Sequence, residues 1–135
     1  MPLIEWQASF NLNVAVLDKQ HKILVKVINE LHGAIAAGKE KEVLGTLLSK
    51  IGSFAAMHFA KEEHYFDTFG YPQTETHKQE HIDFEHKLSD FEDDFKAGRA
   101  HLSKEMMVYL SNWLVAHINV SDRAYAPFLN ARGIM

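Results

Sequence analysis

The chain of 135 residues contains no cysteine, which excludes disulfides, zinc-thiolate sites and thiol chemistry, and suits a reducing cytoplasm. It has no basic run, and a formal charge of −4 argues against nucleic acid or an anionic membrane as partner. The opening Met-Pro-Leu-Ile-Glu-Trp lacks the basic region and apolar run of a signal peptide. No stretch is expected to reach the ~18 apolar residues of a membrane span, so no membrane insertion is expected. There is no sequence repeat, linker or low-complexity segment. The length suits one domain, residues 1–135, around one core.

What the chain has in excess is histidine, nine in all. Four of the residues that matter lie in one stretch, 58–81, as His58-x-x-x-Glu62 and His77-x-x-x-His81. Residues four apart share a helix face, so each pair can present two metal ligands to one side. Between the pairs stands Gly70-Tyr71-Pro72. Glycine tolerates the left-handed backbone of a helix end, and proline cannot continue a helix that needs its missing N–H. The chain therefore turns back here. At 1.5 Å per residue, Glu62 lies about 12 Å before the turn and His77 about 10 Å after it, which sets the pairs level.

The rest of the chain reads as support. Residues 1–12 show no helical period and form an irregular arm whose Trp6 and Phe10 pack on the body. Leu17, His21, Leu24, Ile28, Leu31 and Ile35 then alternate in steps of four and three, the seam of a packed helix ending near Gly38. Leu47, Ile51, Phe54, His58, Glu62, Tyr65 and Phe69 predict a second helix from about Lys41 to Phe69. His77, His81, Phe84, Leu88, Phe91 and Phe95 predict a third, from Thr74 to Lys96. A fourth begins near Ser103 as N-cap and turns Met106, Leu110, Trp113 and His117 inward. A short segment follows it. The fold class is all-α, an up-down-up-down antiparallel four-helix bundle.

Height along the bundle decides what the histidines are for. His21 precedes Gly38 by seventeen residues, about 25 Å of helix, and His58 follows Glu40 by eighteen. His81 precedes Gly98 by seventeen and His117 follows Ser103 by fourteen, within about 5 Å of each other in height. One histidine on an apolar seam is ordinarily a hydrogen-bonded core residue. Five converging with a carboxylate would cost several kcal/mol in desolvation without an ion to compensate them. His32, His64, His86 and His101 fall off the seams or in a loop and read as surface residues. Asp122 follows His117 by five, about 140° round an ideal helix and on the wrong face. A wide π-type turn over Asn119-Val120-Ser121 would bring it into the layer, whereas a regular helix would exclude it.

The set His21, His58-x-x-x-Glu62, His77-x-x-x-His81 and His117-x-x-x-x-Asp122 resembles the complete ligand signature of the hemerythrin family, including its five-residue last step. The similarity also takes in Ile4-Glu5-Trp6, Asp18-x-Gln20-His21, Gly70-Tyr71-Pro72 and Trp113-Leu114-x-x-His117, and so covers nearly the whole chain. The resemblance implies two iron ions in a non-haem di-iron centre with an oxo or hydroxo bridge. Glu62 and Asp122 would bridge the ions, His77, His81 and His117 complete one, and His21 and His58 bind the other, leaving it one position for dioxygen. It implies reversible oxygen binding for transport, storage or buffering, with no enzyme activity, in a cytoplasmic monomer that can supply an oxygen-consuming enzyme. A di-iron enzyme acting on a small substrate, peroxide or nitric oxide, or a sensor of oxygen or iron, are the alternatives.

The donor set points the same way on chemical grounds. Two ferrous ions with two carboxylates and a hydroxide carry roughly +1, because the imidazoles are neutral. Oxygen-activating ferritin-like sites take more carboxylates, from Glu-x-x-His pairs, and this chain has no Glu-x-x-His. Imidazole suits zinc, copper and nickel as well, so the choice of iron rests on the resemblance. Leu24, Trp113, Leu114 and Ile118 lie within one turn of His21 or His117 and are expected to line the oxygen pocket, as well as forming plain bundle core.

Overall fold

The computed structural model describes residues 4–98 and 102–135, with the backbone alone at 40–42 and 102–103. Its helices are α1 (Ala15–Ala36), α2 (Glu40–Phe69), α3 (Thr74–Lys96), α4 (Leu102–Ala116) and α5 (Arg123–Asn130). Cross-helix contacts run in opposite order along each neighbouring pair. Lys50 meets Glu30 and His58 meets His21 between α2 and α1. Lys78 meets Asp67 and His81 meets Glu63 between α3 and α2. Phe91 meets Tyr109 and Phe84 meets Trp113 between α3 and α4. His32 on α1 contacts Met107 on α4 and closes the ring. The result is the expected antiparallel four-helix bundle.

The helix boundaries follow the breakers. Gly70 ends α2 at φ +69°, its N–H and that of Tyr71 both returning to the Phe66 carbonyl at 2.8 and 3.1 Å. Thr74 Oγ1 then donates to the Tyr71 carbonyl at 2.6 Å and starts α3. The predicted cap by the Ser103 side chain lies outside the described residues. The arm contains one turn of 3-10 helix, Ala8–Phe10, that sequence periodicity does not reveal. Phe10 is buried and Trp6 half-buried, edge-on at 5.4 Å. Asn29 on α1 holds the arm by bonding both the N–H and the C=O of Ile4, at 2.9 and 2.8 Å.

Two departures concern α2. Its Val43–Phe69 stretch is long and apolar enough to cross a membrane by length and composition, contrary to the sequence expectation. In the bundle, however, Leu44, Leu47, Leu48, Ile51, Ala55, Phe59 and Phe66 of that stretch face the core. The second departure is the seam itself. Phe54, Tyr65 and Phe69 are half-buried, whereas Ala55, Phe59 and Phe66 are buried. A straight helix drifts ~20° per heptad from a 3.5-residue repeat, so over this length the buried face passes to positions reached by additional steps of four.

Two apolar clusters fill the interior. The larger is built around Leu24, Ile28, Leu31, Leu47, Ile51, Phe84, Leu88, Met106, Leu110, Leu114 and Ile118. The smaller contains Leu12, Val14, Leu17, Phe66, Tyr71, Tyr125 and Leu129. On α1 the order Leu17, His21, Leu24 runs from one cluster to the other through a histidine. Gly70→Ala should cost about 1–2 kcal/mol, the penalty of a Cβ in left-handed backbone, since no neighbouring atom opposes the methyl itself. Chemical denaturation checks this, and a neutral effect would contradict the cap geometry.

Candidate metal centre

The layer between the two clusters is polar and buried. His21, His58, Glu62, His77, His81, His117 and Asp122 are each no more than 3% exposed. Each helix places its residues there by the face on which its apolar seam lies. Asp122 requires something more. Residues His117–Asp122 form a π-helical segment between α4 and α5, the loosening needed to turn it inward. Asp122 Oδ1 thereby comes within 3.0 Å of the Nε2 atoms of both His77 and His117, and Oδ2 within 2.8 Å of His21 Nε2. Glu62 Oε1 lies 3.1 Å from His81 Nε2, 3.3 Å from His58 Nε2 and 3.6 Å from His77 Nε2.

These are close approaches without hydrogen-bond geometry. Both oxygens of Glu62 and of Asp122, both nitrogens of His21, and Nε2 of His58, His77, His81 and His117 are buried and have no hydrogen-bond partner. Buried polar atoms in native proteins are nearly always paired, so such a concentration of orphans needs a cause. Donor atoms that crowd together without bonding are aimed at common points. Two such groups exist among the described residues, Glu62 with His77, His81 and His117, and His21 and His58 with Glu62 and Asp122. In each group the donor atoms lie within 4.8 Å of one another, and the mixed imidazole–carboxylate set fits transition-metal cations.

The electrostatics of these side chains carry the same message. Burial drives His58 down to about 4. Burial opposes charge on His77 and His117 too, but Asp122 and Glu62 outweigh it and lift them to about 9 and about 10. Glu62 stands at about 2, despite burial and the repulsion of Asp122, because His58, His77 and His81 surround it. Asp122 is likewise held well below its ordinary value, His117 overcoming the effect of burial. Two buried carboxylates thus call for positive charge among the imidazoles, a role that cations coordinated by the same atoms would fill.

Sequence reasoning missed what stands behind the imidazoles. His58 Nδ1 bonds Gln20 Oε1 at 2.7 Å, His81 Nδ1 bonds Glu63 Oε2 at 2.8 Å, and His117 Nδ1 lies 3.3 Å from Glu80 Oε1. Such partners fix the tautomer and turn Nε2 toward the layer. A usable signal existed, since Gln20, Glu63 and Glu80 each adjoin a layer residue in sequence. Phe59 was missed as well. It stacks on His81 with centroids 3.8 Å apart and 8° between planes. So was Tyr125, a fully buried phenol whose oxygen has no partner and whose pKa burial, Asp122 and Glu62 push well above the ordinary value.

Among the expected surface histidines, His64 and His86 are exposed and His32 is half-buried against Met107, while His101 lies outside the described residues. Leu24, Leu114 and Ile118 are buried together in the larger cluster, and Trp113 packs against it. Trp113 also stacks on His117, centroids 4.3 Å apart, and stands between that histidine and an outer groove of about 830 Å³ shared with Lys87, Phe91, Val108 and Tyr109.

A four-helix bundle with a buried histidine–carboxylate layer of this kind defines a metal-binding bundle protein. The hemerythrin HHE cation binding domain matches residues 12–129, and the chain belongs to the hemerythrin family. It is 34% identical over 132 residues to the bacteriohemerythrin of Methylococcus capsulatus, covering 97% of this chain and all of that one. With the bacteriohemerythrin of Stenotrophomonas maltophilia it shares 32% identity over 97% of this chain and 84% of the relative. The crystal structure of wild-type hemerythrin superimposes with a TM-score of 0.85 at 32% identity, covering 93% of this chain and 96% of that one.

Two substitutions test the layer. Glu62→Ala removes a carboxylate whose Oε1 lies within 3.6 Å of three imidazoles and should markedly weaken metal binding in metal analysis of purified protein. His64→Ala should leave metal content at the wild-type level, because that ring faces solvent. A full complement of metal in the first variant, or a deficit in the second, would contradict the layer as drawn.

Proposed function

We propose that this protein binds dioxygen reversibly at a pair of iron ions, serving as a carrier, store or buffer rather than as an enzyme. One observation carries the reading: seven buried side chains from α1, α2, α3 and the π-helical segment aim unpaired donor atoms at two adjoining points. His77, His81 and His117 would hold one ion and His21 and His58 the other, with Glu62 and Asp122 shared between them. Iron at these points supplies a redox-active site for dioxygen. Residues 1–135 would act as one such domain, monomeric and cytoplasmic, with an oxygen-consuming enzyme as recipient.

The side chains supply selectivity and protection. Five neutral imidazoles against two carboxylates leave the pair electron-poor, which favours binding oxygen over cleaving it. His21 and His58 form the half with fewer donors and so the half with room for a small ligand. Leu24 lies one turn from His21, in the cluster that also holds Leu114 and Ile118, and these with Trp113 would form a dry wall against water and protons.

Anaerobic reduction followed by air exposure tests the reading. A stable oxygenated spectrum that disappears on deoxygenation, in protein containing two irons, is the expected outcome. Turnover of a substrate with rapid loss of that spectrum would mark an enzyme instead. Leu24→Ser tests the wall. It brings a hydroxyl and room for a water beside the layer, at a packing cost of roughly 2–5 kcal/mol by analogy with truncation to alanine. Decay of the oxygenated absorbance should accelerate with iron still bound, and an unchanged decay in folded, iron-loaded protein would remove Leu24 from the protective role.

A further inference from the structure

The two halves of the layer differ in what holds their imidazoles from behind. On one half, His81 Nδ1 donates to the Glu63 carboxylate at 2.8 Å and His117 Nδ1 faces the Glu80 carboxylate at 3.3 Å. On the other, His58 Nδ1 has only the neutral amide oxygen of Gln20, and neither nitrogen of His21 has a hydrogen-bond partner. The shared acids do not offset this. Glu62 and Asp122 each reach histidines of both halves, at 3.1 and 3.3 Å for Glu62 Oε1 and at 2.8 to 3.0 Å for the Asp122 oxygens. The net difference is one further imidazole and two backing carboxylates against one amide.

Each of these features favours the same half. A carboxylate behind a ligating imidazole locks its tautomer and raises the basicity of the other nitrogen. Two negative charges nearby also lower the cost of bringing in a cation. Glu80 has an additional hold. The same Oε1 accepts the Ser121 hydroxyl at 2.6 Å, so one carboxylate of α3 grips the π-helical segment both at His117 and beside Asp122. The first ion to arrive takes up the charge of the shared acids, and a second must enter against its repulsion.

We propose that the two cation positions are unequal and fill in a fixed order. The half made by His77, His81 and His117 fills first and empties last, and Glu63 and Glu80 are the positioning residues that set this order. The half made by His21 and His58 exchanges its ion. This inference rests on the two-cation reading above and extends it to regulation: metal supply gates the half with room for a ligand, while the other half keeps a resident ion and the bundle stays folded around it.

The test uses the full chain loaded with zinc, which is redox-inert and diamagnetic, and labelled with ¹⁵N in its histidines. Graded chelator is added, native mass spectrometry counts the ions retained, and NMR follows the rings. The expected course is two ions, then one, then none, with His21 and His58 signals changing in the first step and those of His77, His81 and His117 in the second. Glu63→Gln and Glu80→Gln should each weaken retention of the last ion about 10–100-fold, with the first step little altered. Gln20→Glu, which gives the other half a carboxylate, should slow the first step. If Glu80→Gln fails to fold by circular dichroism, Glu63→Gln carries the test, because its side chain lies outside the π-helical segment. Concerted loss of both ions, the opposite order of ring signals, or an unaltered second step in a folded variant would overturn the assignment of order alone. Protein that never retains two ions would overturn the two-cation reading together with it.

Discussion

Seven ionisable side chains are buried in one layer, and the rest of the fold has to answer for the cost of taking them out of bulk water. Two carboxylates alone would each cost several kcal/mol to desolvate, and imidazoles crowded against one another add to that. The apolar clusters above and below the layer provide the opposing free energy and also exclude the solvent that would otherwise screen it. The interior is therefore divided by function. The larger cluster holds four helices together, and the smaller one, with Tyr125 and Phe66 at its centre, seals the base beneath Glu62 and Asp122.

This division explains why so much could be read from the sequence. A histidine at a seam position is visible because its neighbours three and four residues away are apolar, as with His21 between Leu17 and Leu24. Helix lengths measured from Gly38, Glu40, Gly70, Gly98 and Ser103 then place four helices' histidines at one height. Asp122 was different in kind. Its angle on a regular helix is wrong, so only the family resemblance put it in the set, and the π-helical segment supplies the physical reason it belongs there.

The partners behind the imidazoles adjoin layer residues in sequence yet escape a periodicity argument, for a reason that applies to helical bundles generally. Gln20, Glu63 and Glu80 flank the seam, and a periodicity argument assigns flanking polar residues to solvent. About a third of the side chain remains exposed at Glu63 and Glu80, so burial alone would not have distinguished them either. Each sits beside a layer residue of its own helix yet bonds a histidine of the next one: Gln20 of α1 to His58, Glu63 of α2 to His81, Glu80 of α3 to His117. Local order along the chain is thereby converted into contacts that run round the bundle from helix to helix.

That chain of contacts has a direction, and the direction bears on how the centre is built. It starts at α1 with an amide and continues through two carboxylates to the π-helical segment, so the negative charge outside the layer accumulates toward α3 and α4. The same end receives the third imidazole, His77. A bundle with equal donors on both sides would bind two ions alike and leave neither position distinct. Here the asymmetry lies both in the layer and behind it, which under the proposed two-cation reading would let one side hold an ion firmly while the other keeps fewer donors. Tight retention and an accessible position place opposite demands on a single set of ligands; dividing the demands between the two sides of the layer would allow one bundle to meet both.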